Sequence, residues 1–204
     1  MAAIPLHDSL SRPFVALFVA LAALLLAGCG VNTIPTYEEQ AKASWSEVLN
    51  TYQRRADLIP NLIETVKGYA AQERDVLTSV VEARARATQI QVPADIPTDP
   101  EAFQKFQAAQ GEVGAALSRL IAITENYPDL KSNQNFLALQ SQLEGTENRI
   151  AVARRDYIES VRLYNTELRT IPGRWWAMFL YPDAKPMATF TVDAETTKNP
   201  QVKF

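Results

Sequence analysis

Between residues 37 and 172 the apolar positions recur in steps of three and four, the spacing that lines side chains along one face of an α-helix. Trp45, Val48, Leu49, Tyr52 and Ala56 mark a first face. Ile59, Leu62, Ile63, Val66, Ala70, Leu77, Val80 and Ala87 mark a second, and Glu73 falls on the same stripe. Phe103, Phe106, Val113, Leu117, Leu120 and Ile121 mark a third. In the fourth, Phe136, Leu143, Ile150, Tyr157 and Tyr164 repeat every seven residues, with Leu139 and Ala153 between them. Val161 and Leu168 drift by one position, as a straight helix drifts against a heptad. Four amphipathic helices with short connections predict an all-α fold, an up-and-down four-helix bundle with long antiparallel helices.

Punctuating residues place the boundaries. Asp57 is a good N-cap and Pro60 suits a first turn, so residues 57–60 predict a break, with a second helix from about 58 to 90. One kinked helix running through Pro60 is the alternative. Pro93, Pro97 and Pro100 interrupt the next stretch, and Thr98 with Glu101 forms a capping box that restarts the helix. Ser132 or Asn133 caps the fourth helix, and Pro172 and Gly173 stop it. A short aromatic segment, RWWAMFLY, follows at 174–181, and residues 182–204 alternate weakly at 187–192 and otherwise form a polar tail. Gly111, Gly114 and Gly145 stand in helix interiors, where each costs about 1 kcal/mol against alanine. They are therefore expected to face neighbouring helices at short range.

The N-terminus has its own pattern. Residues 14–26 are an apolar run preceded by Arg12 and followed by small residues. The run is short for a spanning helix, which needs about 20 apolar residues, and it suits the hydrophobic part of a secretory signal. It ends Leu26-Ala27-Gly28-Cys29, which resembles a bacterial lipobox. That resemblance implies a diacylglyceryl group on the Cys29 sulfur, cleavage between Gly28 and Cys29, and a membrane attachment that several acyl chains make stable. An uncleaved anchor helix with an incidental cysteine is the other reading. Gly30 follows, and not aspartate, which resembles the default outer-membrane sorting class of Gram-negative lipoproteins. In such a host the protein would sit on the periplasmic face of that membrane. The resulting plan is a signal at 1–28, a tether at 29–36, a bundle at 37–181 and a tail at 182–204.

The net charge of -3 carries no signature for nucleic acid. Cys29 and His7 are the single cysteine and histidine, so the body of the chain offers no intramolecular disulfide, no Cys/His zinc site and no histidine base. A di-iron bundle needs Glu-x-x-His pairs and fails for the same reason. Phosphate-loop and dinucleotide fingerprints are missing as well. No cofactor and no catalytic residue is expected.

Polar residues on apolar faces are the remaining candidates. Glu147 and Arg154 project toward the buried side of the fourth helix, and Glu73 does so on the second. They form either a ligand pocket or an ion-paired network that sets helix register. Arg54 and Arg55 could bind a lipid phosphate or a partner's carboxylate, or be a solvated face. Trp175 and Trp176 either lie in a membrane interface or close the open end of the bundle.

Three blocks carry a resemblance to a known family. RRADLIPNLIETVKGY at 54–69, ENYPDLKSNQNF at 125–136 and EGTENRIAVARRDY at 144–157 resemble the LemA family of bacterial envelope proteins. The resemblance spans roughly residues 37–180 and implies a helical bundle behind an N-terminal membrane segment. This chain departs from many relatives in having a lipobox where they resemble proteins with an uncleaved anchor. Two functions follow as expectations: a non-catalytic envelope lipoprotein that meets a protein partner, or a module that binds a small or lipid-like ligand inside the bundle.

Overall fold

The computed structural model describes residues 16–18, 30–90 and 96–191. They are helical with connecting turns: α1 (Thr33–Lys67), α2 (Arg74–Gln89), a 3₁₀ turn at Ile96–Thr98, α3 (Pro100–Thr124), the single-turn α4 (Pro128–Lys131), α5 (Gln134–Glu167) and α6 (Gly173–Phe179). The four longest run up, down, up and down. Ser44 meets Ser160, and Arg55 meets Glu147, so α1 and α5 are antiparallel partners along nearly their whole lengths. Arg86 meets Glu112 across the antiparallel α2–α3 hairpin. Within this hairpin α2, with 16 residues against the 35 of α1, covers only the second half of α1, while the start of α3 reaches Trp45 in the first half. At 1.5 Å per residue, α1 is a rod of roughly 50 Å.

The core divides accordingly. The distal part is mainly aliphatic, with Ile59, Leu62, Val66, Val80, Leu120, Leu130 and Phe136 buried together. The proximal part, toward the N-terminus of α1, is aromatic. Trp45 lies 5.5 Å from Phe103, 5.3 Å from Phe106 and 5.2 Å from Tyr157, ring centre to ring centre. All five heptad positions of the fourth face are buried, as the seven-residue spacing predicts.

Pro60 does not break the chain. It lies inside α1, exposed, and the turn falls instead at residues 68–73. The expected break at 57–60 is therefore corrected in favour of one continuous helix. Proline cannot donate to the carbonyl four residues earlier. That carbonyl belongs to Ala56, and Arg84 Nε donates to it from α2 at 2.8 Å. The restart of α3 is also corrected. Asp99, not Thr98, is its N-cap, accepting from the amides of Glu101 and Ala102 at 3.0 and 3.1 Å, with Pro100 in the first turn. Asn133 caps α5, as expected, accepting from the Phe136 amide.

Two of the three interior glycines contradict the expectation of close packing. A Cβ on Gly111 or Gly145 would meet nothing within 4 Å, and one on Gly114 would meet only the Arg55 guanidinium at 3.9 Å. The glycine that does lie at short range is Gly173, where a Cβ would come 2.3 Å from the Glu167 carbonyl oxygen.

The described part of the segment beginning at residue 182 is not a free tail. Met187 and Phe190 are buried in the proximal core. Asn165 brackets Met187, donating to its carbonyl at 2.8 Å and accepting from its amide at 2.9 Å. The Tyr157 hydroxyl donates to the Ala188 carbonyl at 2.8 Å, and the Ala188 amide donates to Pro97. This strap packs on α1 and α5 beside the start of α3, beyond the reach of α2.

Candidate functional site

Arg55 occupies the centre of the molecule. It falls on the stripe Trp45, Val48, Tyr52, Ile59, Leu62, so the geometry of α1 turns it inward, and its residue is 4% exposed. Burying a guanidinium is tolerable only if its donors are matched. Here Nη2 donates to the Gln110 side-chain oxygen at 2.6 Å and to the Gln110 carbonyl at 3.0 Å. Nη1 donates to Glu147 Oε1 at 3.2 Å, and the guanidinium lies 4.9 Å from the Tyr52 ring centre. One arginine thus clasps α1, α3 and α5.

The sequence-based polar network is rearranged. Glu147 belongs to it, but its partner is Arg55. Arg154 stands over the Phe190 ring at 4.4 Å and near the Tyr52 phenol. Burial raises the pKa of that phenol, an effect that Arg154 and Arg55 oppose. Glu73 lies elsewhere: it begins α2 at the distal turn and accepts from the Tyr127 hydroxyl at 2.7 Å. Arg54, next to Arg55 in sequence, is exposed on the outer surface beside Arg149 and Asp57. The two arginines therefore do not act as a pair. Arg55 was readable from its place on the apolar stripe, since it lies three residues after Tyr52 and four before Ile59. Gln110 had no such signal.

Above Arg55, α3 and α5 stand apart and leave a groove of about 880 Å³. Gln104, Gln107 and Gln110 line its α3 side together with Gly111 and Gly114, and Glu147 and Arg154 line its α5 side. The open surroundings of Gly111 follow from this separation. Thr191, the last described residue of the strap, stands at the rim, with Gln107 donating to its carbonyl at 2.8 Å. Among the described residues no group of three or more His, Cys, Asp or Glu side chains is placed to hold a metal.

The two ends of the rod differ. The distal turn gathers residues from the first two resemblance blocks. Tyr69 accepts from the Asn133 side chain at 2.9 Å, and Gln72 donates to Tyr127 at 3.0 Å. At the proximal end α6 folds back on the start of α1. A Cβ on Gly30 would lie 3.8 Å from Trp176 Nε1 and 3.9 Å from Pro172. Gly30 has φ +130°, a backbone conformation that other residues rarely adopt. The two tryptophans part company: Trp176 packs against the proximal core and closes the end, while Trp175 is 51% exposed. Cys29 and nearly all of the run at 14–26 lie outside the described residues. Among the described residues no helix is long and apolar enough to cross a membrane.

Comparison with known proteins agrees with the blocks noted in the sequence. A family model described as the LemA family matches residues 44–204. Magnetosome protein MamQ 1 and magnetosome protein MamQ 2 of Paramagnetospirillum magneticum are each 26% identical over 189 residues, covering 85% of this chain and 68% of their own length. Magnetosome protein MamQ of Magnetospirillum gryphiswaldense is 27% identical over 163 residues, covering 72% of this chain and 60% of its own.

Proposed function

The chain belongs to the LemA family, and from that premise we propose that it is a non-catalytic interaction module held at a membrane of the cell envelope. The attachment in this reading is the lipidated Cys29, with residues 1–28 removed. In a Gram-negative host the bundle would stand on the periplasmic face of the outer membrane. The observation that carries the reading is the polarity of the rod. The chain enters beside α6 at one end, and residues from the first two blocks that mark the family meet at the other, roughly 50 Å away. A rigid bundle with that layout presents its distal turn to an envelope protein. The relatives are named as magnetosome proteins.

The chemistry supports the same reading. Arg55 spends its guanidinium on Gln110 and Glu147, so it clasps three helices together. The test is photo-crosslinking in native membranes. A crosslinker at Ala71 or Asn135, both exposed at the distal turn, should capture a discrete protein, while one at Ser46 on the outer face of α1 should not. Capture from Ser46 alone would overturn the distal docking surface.

The groove between α3 and α5 favours a second reading, a module that binds a small or lipid-like ligand. Its volume is that of a small-molecule site, and its glutamines offer donors and acceptors with a guanidinium beneath. Native mass spectrometry of protein taken gently from membranes decides between the two, since a stoichiometric small adduct would promote the second.

A further inference from the structure

We propose that α6 is a second membrane contact, which seats the proximal end of the bundle in the lipid headgroup region and sets its orientation. Ile171, Trp175, Met178, Phe179 and Leu180 are 65, 51, 60, 73 and 52% exposed, all within ten residues. Apolar surface gathered this densely on a folded chain marks an interaction site, whereas single exposed apolar residues are ordinary. Most other exposed large apolar residues of the bundle, such as Val81, Leu137 and Val152, stand singly along its sides.

The position of the patch identifies what covers it. Gly30 packs against Trp176 and Pro172, so the chain leaves the bundle at α6. Cys29 is the next residue upstream, and residues 27–29 alone separate Gly30 from the apolar run ending at Leu26. The four Cα–Cα steps from Leu26 to Gly30 reach about 14 Å at most. Acyl chains on Cys29 or a retained apolar run therefore both bring the bilayer within that distance of the patch. The composition suits the boundary. Indole rings settle at headgroup level, and Met178 and Phe179 supply apolar depth. Arg169 and Arg174, both exposed at this end, can meet lipid phosphates. A tether alone lets the bundle swivel. A tether with an adjacent apolar foot fixes which way the rod points, and so how far from the membrane its distal turn stands.

This inference rests on the membrane-tethered reading above, and its test separates the two. Full-length protein, processed in its host, is reconstituted into vesicles of phosphatidylethanolamine and phosphatidylglycerol carrying brominated acyl chains. Flotation with the vesicles reports the tether. Bromine quenching of tryptophan emission reports α6, since Trp45 is 3% exposed and lies well up the rod. The expected result is flotation with strong quenching, a loss of most of that quenching in Trp175→Phe, and unchanged flotation in both. Replacing Met178 and Phe179 together by aspartate should keep the chain floating and helical by circular dichroism while it loses bromine quenching and gains acrylamide quenching. A wild-type chain that fails to float overturns the tether. A chain that floats with Trp175 open to acrylamide and untouched by bromine overturns the second contact. Trp175 shielded from both quenchers, with protection that fades as protein is diluted in the vesicles, also overturns it, in favour of a second copy of the chain.

Discussion

Arg84 Nε donates to the Ala56 carbonyl at 2.8 Å across the α1–α2 contact, and Ala56 is the residue whose helical partner Pro60 removes. A side chain from the neighbouring helix thus completes the ladder that proline interrupts. An orphaned, partly buried acceptor costs about 1–3 kcal/mol. Arg84→Met should lose about that much in urea unfolding, and it should lose much less in a Pro60→Ala background, where the amide returns. Strict additivity of the two changes in a double-mutant cycle would show that Arg84 and Pro60 are not coupled.

This bond also explains where sequence reading stopped. The apolar periods, the seven-residue repeat of α5 and the Asn133 cap were all legible, because each is set by residues within one helix. Whether Pro60 ends α1 was not, because the answer depends on Arg84, twenty-four residues on and in another helix. Gln110 was invisible for the same reason, as was the separation of α3 from α5. The strap at 184–191 was half legible. Its alternation is visible, but its anchors, Asn165 and Tyr157, lie on α5.

The Arg55 clasp should fail asymmetrically. Glu147 is 44% exposed at its side chain and solvent takes part of its load. Glu147→Gln leaves the two Gln110 bonds in place and should cost about 1 kcal/mol. Arg55→Ala empties a buried site between three helices and should cost about 3–5 kcal/mol. The coupling should join Glu147 to Arg55, while Glu147 and Arg154 should act almost independently. Thermal or urea unfolding of the single and double variants measures this, and a larger coupling to Arg154 would reverse the assignment.

The helix-interior glycines now carry the opposite expectation from close packing. Gly111→Ala and Gly145→Ala add a methyl group into open space and remove backbone freedom, so each should stabilise by up to about 1 kcal/mol. Gly173→Ala drives a Cβ into the Glu167 carbonyl and should destabilise. Melting temperatures that fall for Gly111→Ala would mean that α3 and α5 lie closer in solution.

Alkaline pH should weaken the proximal core. Burial pushes the Tyr164 hydroxyl up to about 12 and raises that of Tyr157 as well. Unfolded phenols release their protons near pH ~10. Above that pH the unfolded state holds fewer protons than the native state, so stability falls as pH rises toward the folded pKa, and below it the contribution is complete. Urea midpoints taken across this window should slope downward, and less steeply in Tyr164→Phe. An equal slope in that variant would place the Tyr164 hydroxyl in water.

The anchoring chemistry makes the sharpest demand on the N-terminus. If Cys29 is the acylated residue, the mature chain begins there, and intact-mass measurement of membrane-extracted protein should give residues 29–204 plus acyl groups. Cys29→Ser should leave a full-length, unacylated precursor. A retained anchor predicts instead that wild type and variant have the same N-terminus and the same membrane yield. Gly30 needs separate handling. Its φ of +130° beside Trp176 is a structural requirement in its own right, so an aspartate placed there to redirect sorting would also strain the turn into α1. The clean comparison is Gly30→Asp against Gly30→Ala, which strains the turn without the carboxylate. Relocation between membranes in the first alone would mark position 30 as a sorting residue. Equal loss of stability and no relocation in either would leave backbone geometry as the reason for glycine.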